Sequence, residues 1–119
     1  MITNKPTIKA SLLAVLFAFA TCIIPTALAQ PPVPANPFAM ANLDTCIGVS
    51  WIASSGATSY NVYRGTSSGG ETLLATGVSS NTYEDAGLGQ GQTYYYKITA
   101  VDFGGESLAS GEVNASPTM

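Results

Sequence analysis

The chain has 119 residues, too few for two ordinary domains. Four basic residues stand against seven acidic ones, a formal net charge of −3. That sparse, acidic balance excludes nucleic acid and anionic membrane surfaces, which need clustered Lys or Arg, and with no histidine and only two cysteines, one of them in the expected signal segment, the chain lacks the usual zinc ligand sets.

The amino end reads as a targeting segment. Lys5 and Lys9 make a basic start, an apolar stretch runs from Ala10 to about Ile24, and Ala27-Leu28-Ala29 supplies the small residues a signal peptidase reads. A signal peptide is therefore expected over residues 1–29. About 20 apolar residues can also anchor in a bilayer, but Pro25, the small-residue site and the polar stretch behind it favour cleavage before Gln30. Acylation at Cys22 fits poorly, because Thr21 before it is bulkier than the usual Gly or Ala. Export places the protein outside the cell, in the periplasm or in the envelope, with no membrane contact after cleavage. The cleaved chain keeps only Arg64 and Lys97 against all seven acidic residues, a balance of −5. It also keeps one cysteine, Cys46, so no internal disulfide framework is expected. Cys46 reads as a half-buried strand residue, the alternative being a disulfide-linked dimer.

Residues 30–37 are proline-dense, with Pro31, Pro32, Pro34 and Pro37, and read as a stiff, extended spacer. From 38 to 119 a single domain is expected, built of short apolar alternations separated by Gly, Ser and Asn clusters. Phe38 and Met40 alternate as the inward residues of a first strand that Pro37 starts. Ile47, Val49 and Trp51 alternate next, followed by a turn at Ser54-Ser55-Gly56. Tyr60 and Val62 face inward against Asn61 and Tyr63, and residues 64–70 form a Gly/Ser loop. Short strands follow over 71–75 and 80–84, with a turn at Asp85-Ala86-Gly87. The longest strand, 93–102, turns Tyr94, Tyr96, Ile98 and Ala100 inward. Phe103-Gly104-Gly105 makes a hairpin into a last strand over 107–115. Seven antiparallel strands with one buried face each make an all-β, immunoglobulin-like β-sandwich.

Several stretches resemble the fibronectin type III family, especially its bacterial extracellular members. They are Ile47-Gly48-Val49-Ser50-Trp51, the run from Ala57 to Gly65, and Tyr83-Glu84-Asp85-Ala86-Gly87-Leu88. Most telling is Leu88 followed six residues later by Tyr94, inside the run from Thr93 to Val101. The resemblance implies that Trp51 fills the space between the sheets, and that the Tyr94 hydroxyl bonds back to backbone near Leu88 as a tyrosine corner. Trp51, Tyr94 and Leu88 are then core residues and not ligand contacts. Asn42-Leu43-Asp44-Thr45-Cys46 departs from the family's glycine-rich turn and leaves the register of the first two strands open.

Candidate chemistry is scarce. Arg64-Gly65-Thr66 lacks the aspartate of an adhesion tripeptide and sits outside the last hairpin. Glu84 and Asp85, adjacent on a strand, should face opposite ways, Asp85 capping its turn. These carboxylates, with Asp102 and Glu106, read as solvated. No base is placed to activate a serine, and Asn114-Ala115-Ser116 is a poor glycosylation acceptor before Pro117. No catalytic, metal or cofactor site is expected. The third and sixth strands should neighbour each other, turning Tyr63 and Tyr95 outward beside Asn61, Lys97 and Thr99. That pair either stabilises the sheet or forms a flat binding platform with Arg64 or Lys97 over it. The sequence thus points to a non-enzymatic, exported interaction or spacer module whose partner is an extracellular protein or a polysaccharide. The alternatives are a carbohydrate-binding module using the tyrosine pair, and the remnant of a multidomain exported enzyme.

Overall fold

The computed structural model describes residues 29–43 and 45–118. The expected signal segment lies outside them, except for Ala29. Eight strands run in order: β1 (Ala35–Leu43), β2 (Cys46–Ile52), β3 (Ser59–Gly65), β4 (Thr72–Val78), β5 (Thr82–Asp85), β6 (Tyr94–Asp102), β7 (Gly105–Glu106) and β8 (Val113–Ala115). One sheet has the order β1-β2-β5; the other runs β4-β3-β6-β7, with β8 also on β6. All pairs are antiparallel.

The core lies between the sheets because each central strand alternates apolar with polar residues. Ile47, Val49 and Trp51 of β2 meet Tyr60 and Val62 of β3 and Tyr96, Ile98 and Ala100 of β6, with Leu88 closing one end. Trp51 stands edge-on to Tyr60, ring centroids 5.2 Å apart. Tyr94 is half-buried against this cluster, and its Oη accepts the Gly89 N–H at 2.9 Å. Its neighbour Leu88 donates from its own N–H to the Thr45 carbonyl, also at 2.9 Å. The loop between β5 and β6 is thereby tied to both sheets.

The first strand differs from expectation in two ways. It starts at Ala35, inside the expected spacer, where Ala35 pairs with Ile52. Pro31 and Pro34 are buried, so the proline segment leans on the domain and does not hold clear of it. Pro37 is tolerated within the strand because β1 is a sheet edge, where a missing N–H breaks no ladder. Asn36 takes the left-handed conformation, φ 49°, at a shift in register, which short polar side chains accept. Phe38 and Met40 face outward, not inward, at 56% and 54% exposure. They pair with Ser50 and Gly48, whereas Ala39 and Ala41 pair with the buried Val49 and Ile47. A strand reading Phe-Ala-Met-Ala is apolar on both faces, so period 2 alone does not say which face is buried.

The last expected strand is two short ones. Between them Ser107 and Ser110 stand in for a ladder: their N–H groups donate to the carbonyls of Ala100 and Ile98, both at 2.8 Å. Their Oγ atoms accept the N–H groups of the same two residues at 2.9 and 3.0 Å. Hydroxyls thus keep β6 satisfied where the chain leaves the strand conformation.

Asp85 is neither solvated nor a turn cap. It is 4% exposed at the end of β5. Its carboxylate crosses to the other sheet, where Arg64 Nη1 donates to both oxygens at 2.9 and 3.0 Å, and Tyr96 Oη donates to Oδ2 at 2.7 Å. Burial first, and the Asp85 bond second, push the Tyr96 phenol far above its usual range. Arg64 lies over the Tyr94 ring, 5.6 Å from its centroid, and not over Tyr63 or Tyr95. Glu84 does face the other way and is exposed.

Candidate functional site

Burial of Tyr60, Val62, Tyr96, Ile98 and Ala100 turns the alternate residues of β3 and β6 to the outer face of the larger sheet. Asn61 lies opposite Thr99, Tyr63 opposite Lys97, and Tyr95 opposite Gly65. The two tyrosines are therefore diagonal neighbours on one face.

Glu106, expected to be solvated, organises this face. Glu106 of β7 brings its Oε1 over the strands, where it accepts from Asn61 Nδ2 at 2.9 Å, from Thr99 Oγ1 at 2.6 Å and from Tyr63 Oη. Thr99 is only 4% exposed beneath it. Oε2 takes no hydrogen bond from the described residues and is left for an outside donor. On the other side, Lys97 Nζ pairs with Glu71 Oε1 at 3.1 Å, and the Glu71 side chain is 3% exposed. Glu71 Oε2 accepts the Gly69 N–H, which Glu112 shares, and Glu112 also accepts from Ser68 Oγ at 2.7 Å. These bonds hold the 65–71 loop upright. Between that loop and residues 106–109 runs a groove of about 330 Å³, floored by Tyr63, Lys97 and Thr99. Leu108, 77% exposed, stands on its rim. Tyr63 is thus fixed by Glu106 in the floor of a groove, with Tyr95 beside it on the same face.

The hydrogen bonds from Thr99, Tyr63 and Asn61, in that order, hold the Glu106 carboxyl below its usual range. The same bond to Glu106, followed by burial and the carboxylate's charge, raises the Tyr63 phenol. A depressed acid contributes stability above its unfolded pKa and loses it as pH falls through the folded one. A raised phenol contributes stability below its unfolded pKa, lost as pH rises through the folded one. The groove should therefore hold from neutral pH down to about 4.3 and weaken below it. Glu106→Gln is expected to flatten that acid limb in a pH series of urea unfolding, while the limb due to other carboxylates remains. A series unchanged by the substitution contradicts the role given to Glu106.

Neither Glu106 nor Glu71 was legible as a site residue. Both act across sequence gaps, Glu106 reaching Asn61 and Tyr63 over 45 and 43 residues. The one local signal was the tight Gly104-Gly105 turn, which sets Glu106 opposite Val101 on β6. Cys46 is a free, half-buried cysteine. Among the described residues no three His, Cys, Asp or Glu side chains converge to hold a metal ion.

No family model matches the chain. It is 37% identical over 92 residues to an amylopullulanase of Thermoanaerobacterium thermosulfurigenes, covering 76% of this chain and 5% of that enzyme. It is 40% identical over 77 residues to a poly(3-hydroxybutyrate) depolymerase of Ralstonia pickettii, covering 64% of this chain and 14% of that enzyme. The chain thus spans a small part of the length of either relative. Among solved structures, an Fn3-like protein from Clostridium thermocellum superposes with a TM-score of 0.68 at 39% identity, covering 72% of this chain and 92% of that one.

Proposed function

The chain belongs to the fibronectin type III family, and on that premise we propose that it is an exported, non-enzymatic module that works by surface contact outside the cytoplasm. One observation carries the reading. The same unit recurs as a small share of enzymes as unlike as an amylopullulanase and a poly(3-hydroxybutyrate) depolymerase. A part common to two different reactions carries neither of them. What it can supply to both is spacing or attachment.

The groove over Tyr63 favours attachment. A carboxylate fixed by three donors, with one oxygen unengaged, is a preorganised acceptor. Beside it stand the Lys97 ammonium and the exposed Leu108, so a partner rich in hydroxyls or bearing a cation fits this face. Polysaccharide and extracellular protein both meet that description.

The test is retention of the purified chain on polysaccharide and envelope fractions, beside Tyr63→Ala/Tyr95→Ala. Saturable retention, lost in a variant whose circular dichroism is unchanged, is the expected result. Retention by both proteins moves the contact to another face. Retention by neither leaves the module as a spacer.

A further inference from the structure

The outer face of the smaller sheet has a different construction. Its rows run across three strands. Phe38 pairs with Ser50, which pairs with Thr82; Met40 pairs with Gly48, which pairs with Glu84. The middle strand therefore presents only a hydrogen and a hydroxymethyl group, while both edge strands carry larger side chains. With neighbouring strands about 4.8 Å apart, the walls stand roughly 10 Å from each other. The result is a trough of about 270 Å³.

One wall is apolar and exposed, Phe38 at 56% and Met40 at 54%. The other is polar, Thr82 and Glu84. The end is closed by a strut: Asn42 Nδ2 reaches over the middle strand to both oxygens of Glu84, at 3.1 and 3.0 Å. Gly48 permits this, since a Cβ there would lie 2.7 Å from Asn42 Nδ2. Glu84 is thereby held in place, and each of its oxygens keeps a lone pair. The Ser50 and Thr82 hydroxyls take no hydrogen bond from other described residues.

From this arrangement we infer that the trough is a binding site for one neutral sugar ring, a hexopyranoside residue. A pyranose has a C–H face, which covers the Phe38 and Met40 wall, and equatorial hydroxyls, which meet Ser50, Thr82 and Glu84. An apolar peptide side chain would cover the first wall but strand the hydroxyls and the carboxylate opposite, at a desolvation penalty. An anionic ligand would meet Glu84 in a chain of net charge −3. The volume lies just under the ~300–1,000 Å³ of pockets for drug-sized ligands, which suits a single ring and not a buried oligomer. This site is independent of the Tyr63 groove, which lies on the other sheet.

The experiment is amide chemical-shift titration of the isotope-labelled chain with methyl glucoside, and separately with N-acetyl-leucine amide. Saturable millimolar shifts at Gly48, Ser50 and Thr82 with the glucoside are expected. Phe38→Ala should weaken them about tenfold through loss of the apolar wall. Thr82→Val, which keeps shape and removes a hydroxyl, should also weaken them, while Tyr63→Ala should leave them unchanged. Phe38 and Thr82 are exposed, so these variants test binding and not folding. No saturable shift at those amides overturns the assignment. So does glucoside binding equal in all three variants, or a response to the leucine amide alone, which would make the trough a protein-docking face.

Discussion

Replacing Asp85 with alanine is expected to lower the unfolding free energy by about 3 kcal/mol, the lower end of what breaking a buried ion pair takes. The lower end applies because the Arg64 side chain is 31% exposed and water recovers part of its solvation. Tyr96 has no such relief. It is 0% exposed, and without Asp85 its hydroxyl loses the acceptor 2.7 Å away. Arg64 stands in β3 and Tyr96 in β6, both in the larger sheet, whereas Asp85 ends β5 in the smaller one. The carboxylate is thus a polar tie between two sheets that no disulfide joins. Tyr96→Phe should cost less, about 1 kcal/mol, since Asp85 keeps its guanidinium partner. Urea unfolding followed by fluorescence of the single tryptophan measures both. Equal losses for the two variants would mean that Arg64 is held by solvent and not by Asp85.

Trp51→Ala should be the more damaging change, about 3–5 kcal/mol. Trp51 is 3% exposed between the sheets and edge-on to Tyr60, so truncation to a methyl group leaves a cavity in the core. For a domain of this size each kcal/mol moves the melting temperature by ~4–8 °C, so a fall of more than about 12 °C is expected. Trp51→Phe separates volume from polarity. The indole Nε1 has no hydrogen-bond partner among the described residues, so its removal loses no bond, and the phenyl ring keeps part of the contact with Tyr60. Calorimetry should therefore place Trp51→Phe much nearer the parent than Trp51→Ala. Similar losses for both would contradict the weight given to the ring contact with Tyr60 that phenylalanine keeps.

The buried faces of β2, β3 and β6 were legible because each alternates apolar with polar residues. Ile47, Val49 and Trp51 have Gly48 and Ser50 between them, and Tyr60 and Val62 have Asn61 between them. Where the contrast vanishes the inference fails. In β1 both faces are apolar, and the choice fell to the partner strand: Val49 and Ile47 were already committed to the core, so the alanines opposite them turned inward. The split of the last strand escaped for a related reason. Serine is read as a loop or surface residue, yet Ser107 and Ser110 are buried and serve as backbone surrogates for β6.

The two candidate sites were legible in unequal measure. The outward placement of Asn61, Tyr63, Tyr95 and Lys97 follows from strand parity, a local property. That Tyr63 is tied to Glu106, and Lys97 to Glu71, does not follow from it, because a carboxylate's partner is set by register and by the turn that delivers it. Asp85 shows the same limit more sharply. Next to Ala-Gly it looks like a turn cap, and only the packing of one sheet on the other brings Arg64 and Tyr96 to it across 21 and 11 residues. Side-chain period and turn chemistry act within a few residues, so the sequence by itself determined the family, the sandwich and the inward face of its central strands. Which polar groups pair, and which apolar ones stay in water, depends on contacts between distant segments, and those the tertiary structure alone decided.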